Sequence, residues 1–403
     1  MTKMDKGLNS ISLKYKNQAL ILEKIKQCGS ISRAELSKQL GLSAPSISKN
    51  IELLLEKGII LETGIGESSG GRKPIVLEYN YDYCYIIALA LKEDKLTSAI
   101  SNLKGDIIFE YKIEKDFSGL DKGTILSEID NSIKIIFDNT QILLSTVKCI
   151  VISLPGIVDD NIVKVSNIFP QLQGELIKDY MLTNYNIDIQ IKNDINSKAI
   201  GEYWKLPEAS YNNIVYISPE KTGVGSGIII DGKLYEGSRF GAGEIGYMLL
   251  DEKCLLSGNC KKSYLENIVS NRNILKYAFE LSSEKGGYIK QKTKDDFSNM
   301  TIRLLKEAIE LKDEVAIEVL GLVSRYFTIS IHNTATILNP DVVLLGGMFI
   351  ELGTELFEQI RSYLEAISII PIDIRLSEID EMAQLYGSIY FGIKYINKKI
   401  LDI

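Results

Sequence analysis

Ser43, Ser46, Lys49 and Asn50 fall within one short segment, and each carries a hydrogen-bond donor. Ser46, Lys49 and Asn50 are expected on the side of a helix opposite Ile47 and Ile51. From there they can donate to phosphate oxygens or base edges. A second set of donors follows in Gly70-Gly71-Arg72-Lys73-Pro74. The paired glycines let a backbone approach a surface closely, and Arg72 and Lys73 can reach phosphates or a minor groove. Arg33 is either a further phosphate contact or a solvated surface charge. A third set is backbone: Thr222-Gly223-Val224-Gly225-Ser226-Gly227 reads as a turn between strands whose N–H groups can cradle phosphates or sugar hydroxyls.

The first two sets need elements that hold them. Tyr15 to Gln27 carries Leu20, Ile21 and Ile25 near the helical period, and Gly29 stops it. Ser32 followed by Glu35 fits a capping box opening a second, short helix that ends at Leu40-Gly41. Ser43 caps a third helix with Pro45 in its first turn, and Gly58 ends it. Its apolar face is Ile47, Ile51, Leu54 and Leu55. Two short helices joined by a glycine turn make a helix-turn-helix. Strands at Ile59–Thr63 and Ile75–Tyr79 add a hairpin, or wing, with Arg72 and Lys73 at its tip. A three-helix protein-interaction module is the alternative.

The 403 residues imply two or three domains. With 45% hydrophobic and 25% charged residues the chain is neither disordered nor fibrous. No apolar run reaches ~18 residues, and Met1 to Ser10 lacks the apolar core of a secretory signal, so no membrane span or export is expected. Five scattered cysteines (Cys28, Cys84, Cys149, Cys254, Cys260) point to a reducing, cytoplasmic setting. The net charge of −7 is unevenly spread. Residues 1–80 hold 12 Lys+Arg against 8 Asp+Glu; the remainder hold 34 against 45. A positive head on an acidic body suggests two functions in one chain.

Beyond Tyr79 the pattern becomes strand-rich. Tyr85–Ala90, Lys95–Ser101 and Ile107–Tyr111 read as a β-meander, followed by a helix over Thr124–Asn139 and a strand over Cys149–Leu154. Ile189–Lys192 runs into Asn193-Asp194, and Ser197–Trp204 is helical. The outline then recurs through Ile214–Ser218, Ile228–Ile230, Lys233–Tyr235 and Val342–Leu345, with a last helix over Met382–Tyr395. Two such units imply an α/β protein with two related lobes and a cleft between them.

From about Tyr15 to Ile393 the chain resembles the ROK family of repressors and sugar kinases, specifically its repressor branch. The resemblance rests on Ser32-Arg33-Ala34-Glu35-Leu36, Gly70-Gly71-Arg72-Lys73-Pro74, Leu154-Pro155-Gly156-Ile157-Val158-Asp159, Asn193-Asp194-Ile195-Asn196, Gly223-Val224-Gly225-Ser226-Gly227, Gly241-Ala242-Gly243-Glu244-Ile245-Gly246, Leu265-Glu266 and Leu344-Leu345-Gly346-Gly347. It implies an N-terminal winged helix-turn-helix followed by a two-lobed actin-like, ribonuclease-H-like ATPase fold. The expected divisions are 1–80, 81–200 and 201–403, with the C-terminal helix returning to the first lobe. It further implies that Asn193, Asp194, Glu244 and Glu266, with Asn167 and Tyr247, contact a monosaccharide.

Two departures matter. The family's kinases carry Asp-x-Gly-x-Thr on the first hairpin to hold phosphates and magnesium; here the stretch is Ala90-Leu91-Lys92-Glu93-Asp94. Glu93 and Asp94 place negative charge where a polyphosphate would sit, so no kinase activity and no cofactor are expected. The family's usual His after Glu-Ile-Gly is Tyr247, and its zinc loop keeps only Cys254 and Cys260, so no metal is expected. Packing of Tyr247 on Tyr264 is expected to hold that loop instead. The resemblance thus implies a sugar-responsive repressor, most like xylose-responsive regulators, that binds operator DNA as a homodimer or higher homo-oligomer. The alternatives are a sugar kinase with a DNA-binding head and an effector-independent DNA-binding dimer.

Overall fold

A computed structural model describes residues 10–65, 75–206, 211–257 and 260–402. Helix α1 (Ser10–Cys28) begins earlier than the periodicity indicates and stops at Gly29, whose φ is 70°. Strand β1 (Ser30–Ser32) escapes the sequence reading, which sees there only the approach to a cap. Both roles are real. Ile31 is buried, while Ser32 caps α2 (Arg33–Leu40). Its hydroxyl accepts from the Glu35 amide at 3.3 Å, and Glu35 accepts from the Ser32 amide at 2.9 Å. Ser43 caps α3 (Ala44–Glu56) by accepting from the Ser46 amide. Strands β2 (Ile60–Ile65) and β3 (Ile75–Tyr79) pair antiparallel, and β1 lies on the other edge of β3.

The body holds two sheets of one repeated topology. In the first, β4 (Tyr85–Leu91), β5 (Lys95–Ser101) and β6 (Ile107–Glu114) form an antiparallel meander. After α4 (Lys122–Asp138), β7 (Val147–Leu154) pairs parallel with β4. A small hairpin of β8 (Ile157–Asp159) and β9 (Ile162–Val165) and helix α5 (Leu176–Tyr185) then lead to β10 (Asp188–Asn193), parallel to β7. The central strands β4 and β7 are apolar along nearly their whole length because both faces are covered. The edge strand β6 alternates.

Helix α6 (Asp194–Lys205) connects to the second sheet, ordered β13-β12-β11-β14-β15. It comprises the meander β11 (Ile214–Pro219), β12 (Val224–Ile230), β13 (Lys233–Leu234) and the parallel strands β14 (Val342–Leu345) and β15 (Ile374–Leu376). Between β13 and β14 lie α7 (Lys253–Ser257), α8 (Leu265–Val269), α9 (Asn271–Lys285), α10 (Tyr288–Thr293), α11 (Ile302–Glu310) and α12 (Glu314–Leu338). Among the described residues α12 is the one helix long and apolar enough to cross a membrane. Val315, Val319, Val323, Phe327 and Ile331 on it are instead packed in the core beside the second sheet. Helices α13 (Met348–Glu351) and α14 (Thr354–Ile367) complete this half.

The last helix, α15 (Asp380–Asp402), turns back onto the first sheet. Leu385 and Ile389 pack on Ala88, Ala90 and Ala99. Gln384 donates to the Ser153 carbonyl at 3.2 Å, and Ser388 to the Ser153 hydroxyl at 2.9 Å. At its far end Asn397 accepts from Lys26 at 2.7 Å and from the Tyr79 hydroxyl at 3.3 Å. The core of the head is therefore continuous with the body: Ile21, Ile25, Leu36, Ile47 and Ile51 share one cluster with Ile86, Val151 and Ile396.

Candidate functional site

Between the two sheets lies a cavity of about 480 Å³. Asn167, Asn193, Asp194, Glu244, Tyr247 and Glu266 all line it, although they come from four separate stretches of chain. Asn193 and Asp194 come from the junction of β10 and α6. Asn193 caps α6, accepting from the Asn196 amide at 2.8 Å, and donates to the Gly156 carbonyl at 2.8 Å and to Asp194 at 3.1 Å. Its side chain thus holds Asp194 in place at the cavity wall. Asp194 is buried; burial and the neighbouring Glu220 carboxylate raise its pKa to about 6, against the pull of Lys198.

Glu244 sits just before the turn Ile245–Tyr247, and Glu266 is at the start of α8. Glu266 Oε2 lies 3.0 Å from where a Cβ on Gly246 would be and 3.4 Å from that of Gly223. A side chain at position 246 would crowd both Glu266 and the Val224 carbonyl, which is 2.7 Å away, whereas one at 223 would make only ordinary contact. Burial holds the Glu244 carboxyl above its usual range, and Glu266 adds repulsion. Glu266 is raised by burial alone. Three carboxylates facing one cavity are strong acceptors for a ligand rich in hydroxyls. Tyr247 stacks edge-on with Tyr264 at 5.5 Å between ring centroids, as expected, and accepts from Asn167 at 3.4 Å across the cleft.

The glycine-rich run differs from its sequence reading. Val224–Ile230 is strand, so Gly225 and Gly227 lie inside β12 and not in a turn. A Cβ on Gly225 would strike Ile195, and one on Gly227 would strike Ala199. Both glycines let α6 press against the sheet, which places Asp194; the run of small residues marks helix–sheet packing.

In the head, Ser43 and Lys49 are exposed and Ser46 is half-buried at the start of α3. Asn50 does not face outward: it is buried, and its amide donates to the Ser46 carbonyl at 2.9 Å. Asn50 lies three residues from Ile47 and one from Ile51, and the helical period turns it toward their face. Arg33 pairs with Glu62 at 2.9 Å, tying α2 to the wing strand. Arg72 and Lys73 lie outside the described residues.

Residues 87–387 match the ROK family, and residues 16–60 match a winged helix-turn-helix DNA-binding family. The chain belongs to the ROK family. Its fold is a winged helix-turn-helix head joined to the ROK sugar-kinase-like body. A xylose repressor of Caldicellulosiruptor bescii is 29% identical over 397 residues, covering 94% of this chain and 96% of that one. Among solved structures, a ROK family transcriptional regulator homologous to the E. coli MLC protein superposes with a TM-score of 0.76 at 23% identity. That match covers 96% of this chain and 98% of the regulator. A ROK family glucokinase from Streptomyces griseus, solved with glucose and AMPPNP, has a TM-score of 0.64 at 20% identity and covers 76% of this chain and 98% of its own. The ROK fold therefore spans regulators and kinases.

Against that ROK background the β4–β5 hairpin carries charges the sequence reading described only in part. Glu93 is not a bare anion: it pairs with Lys221 of the second half at 2.8 Å. Lys92 is mostly buried, and burial with the nearby Lys198 ammonium lowers its pKa to about 8. Lys198, wholly buried on α6, pairs with Glu220, which also accepts from Ser218 at 2.7 Å. Burial pushes both partners toward neutrality, but each sees the other's charge, so Lys198 is held above and Glu220 below its ordinary range. Sequence reasoning missed Lys198 and Glu220. The one signal was the spacing of Asp194 and Lys198, one helical turn apart on α6.

Proposed function

We infer that this protein is a sugar-responsive repressor that binds operator DNA through its head and a monosaccharide between its lobes, and that it transfers no phosphate. The observation that carries this reading is the convergence of Asp194, Glu244 and Glu266 on one cavity in a chain whose head is a winged helix-turn-helix. The named relative's effector suggests a pentose such as xylose. In this reading the divisions are a head over 1–80 and lobes over 81–200 and 201–403, the protein is cytoplasmic, and two copies bind a palindromic site. Lys92 and Glu93, with Lys221 and Glu220 around them, occupy the hairpin where a kinase would hold phosphates, which supports the loss of phosphoryl transfer.

The test is fluorescence anisotropy of the full chain on duplexes from its own upstream region, with xylose titrated in. Release of the duplex by the sugar is the expected result. ADP formation from ATP, magnesium and a sugar panel would favour the kinase reading, for which the raised pKa of Asp194 is the one supporting observation. Release requires that the sugar bind the DNA-incompetent arrangement more tightly. In the same assay Lys49→Ala should weaken specific and random duplexes alike, by about threefold, and lower the salt slope by about one.

A further inference from the structure

The pair of Glu93 with Lys221 crosses the cleft. Glu93 follows β4 in the hairpin of the first sheet, and Lys221 lies in the turn joining β11 to β12 of the second. Their side chains meet at 2.8 Å, and Glu93 lines the sugar cavity. Lys198 also crosses, to Glu220, but it stands on α6, the connection between the sheets, so that pair lies at the join itself. Glu93 and Lys221 come from elements linked only through space. A further contact across the cleft, Asn167 to Tyr247 at 3.4 Å, is longer and carries no charge.

Each partner is anchored on its own side. The Glu93 carbonyl accepts from the Phe117 amide at 2.7 Å, and the Asp94 carbonyl from the Lys115 amide at 3.0 Å, which pins the hairpin tip to the segment after β6. Across the cleft the Glu220 amide donates to the Gly223 carbonyl at 2.8 Å, closing the turn. The Lys221 carbonyl accepts from the Arg272 amide at 3.0 Å at the start of α9. Neither backbone can follow the other if the lobes part, so parting breaks the pair. The charges around it are complementary as well. Contact with Glu93, reinforced by the charges of Asp116 and Asp94, holds the Lys221 ammonium above its ordinary range. All three acids belong to the first lobe.

The sugar cavity sets an opposing force. Its carboxylates come from both sides, Asp194 at the start of α6 and Glu244 and Glu266 from the second half. Like charges facing one cavity push its walls apart unless donors stand between them. A ligand rich in hydroxyls supplies those donors. The Glu93–Lys221 pair resists the same push with no ligand present.

We propose that the Glu93–Lys221 ion pair is a clasp that biases the two lobes toward the closed arrangement and so sets how much sugar the cleft needs. The clasp itself requires no ligand; its effect on the response rests on the sugar-responsive reading above. Apparent affinity scales with the population of the arrangement that binds, so weakening the clasp weakens the sugar.

The test combines small-angle scattering of the full chain without sugar and isothermal titration with xylose. Glu93→Lys sets two ammonium groups face to face; it should enlarge the radius of gyration and weaken xylose about tenfold. Lys221→Gln only removes a half-exposed charge and should weaken xylose about threefold. Combining Glu93→Lys with Lys221→Glu rebuilds the pair in reverse and should return both measurements to within twofold of wild type. Scattering by Glu93→Lys identical to wild type, or a reversed pair that restores nothing, overturns the clasp and leaves the sugar-responsive reading standing. Expansion in Glu93→Lys that the reversed pair undoes, in a protein that binds no sugar in any form, upholds the clasp and overturns that reading.

Discussion

Asp194→Asn should weaken sugar binding by roughly a hundredfold and at the same time stabilise the free protein at neutral pH. The first effect follows from losing a charged acceptor in a buried site, about 3 kcal/mol. The second follows from the environment of Asp194. Its pKa rises from 3.8 unfolded to about 6 folded, with burial the larger cause and Glu220 the next. The folded state therefore holds the proton more tightly than the unfolded chain does. Stability conferred by that protonated carboxyl is fully present below about pH 4 and is lost as pH rises through 6. A shift of about two pH units corresponds to about 3 kcal/mol. Asparagine is never ionised, so the variant should match wild type near pH 4 and exceed it by about that amount at pH 7.5. Glu202, whose pKa burial raises to about 7, makes wild type and variant both decline over the same range, so the difference between them isolates Asp194. Urea unfolding followed by the fluorescence of Trp204, the single tryptophan, reads this directly because Trp204 lies on α6 with Asp194. A variant no more stable than wild type at pH 7.5 would show that Asp194 is not a strained carboxylate. A variant that still releases DNA at wild-type sugar concentrations would remove Asp194 from the binding site.

The same residue shows how far sequence carries. Asp194 and its five companions were legible because motifs fix their types, and the fold brings all six to one cavity. Strands Ile75–Tyr79, Lys95–Ser101 and Val342–Leu345 were legible to the residue, since apolar runs there end at turns. What stayed hidden depends on partners distant in the chain. Lys198 looks like any helical lysine until Glu220, brought by β11, is placed against it. Gly225 and Gly227 look like a turn until α6 is laid over them. Asn50 has the composition of a base-reading residue, and only its phase relative to Ile47 and Ile51 turns it inward. The strand Ser30–Ser32 is too short for a period of two to register, and it exists because β3 offers an edge.

Gly387→Val should separate the sugar response from both binding events, because it acts on the contact that joins them. Helices α6 and α15 cross at small residues. A Cβ on Gly387 would overlap the Ser197 carbonyl, and one on Gly201 would overlap the Ala383 carbonyl. Neither obstacle is a flexible side chain, so valine at 387 must lift α15 from α6. Overpacking of this kind costs about 3 kcal/mol. The consequence reaches further than stability. The N-terminal end of α15 is fixed to the second sheet by Asp380, which accepts from the Gly347 amide at 2.8 Å and from Tyr216 at 3.2 Å. Its C-terminal part is fixed to the head by Asn397, which receives Lys26 and Tyr79. Between them Gln384 and Ser388 grip Ser153 on the first sheet. A change in the cleft that moved the two sheets relative to each other would therefore pull on α15, and through it on α1. With α15 lifted, the head and the cleft keep their own residues but lose the element both of them bias. The expected outcome is operator affinity within threefold of wild type, sugar affinity within threefold, and a sugar-induced loss of DNA affinity reduced at least tenfold. The Trp204 emission should shift as well, because Tyr386 and Tyr390 of α15 lie 6.4 and 5.8 Å from its ring. Full sugar-driven release in Gly387→Val, with the emission shift present, would show that the signal reaches the head by a route other than α15.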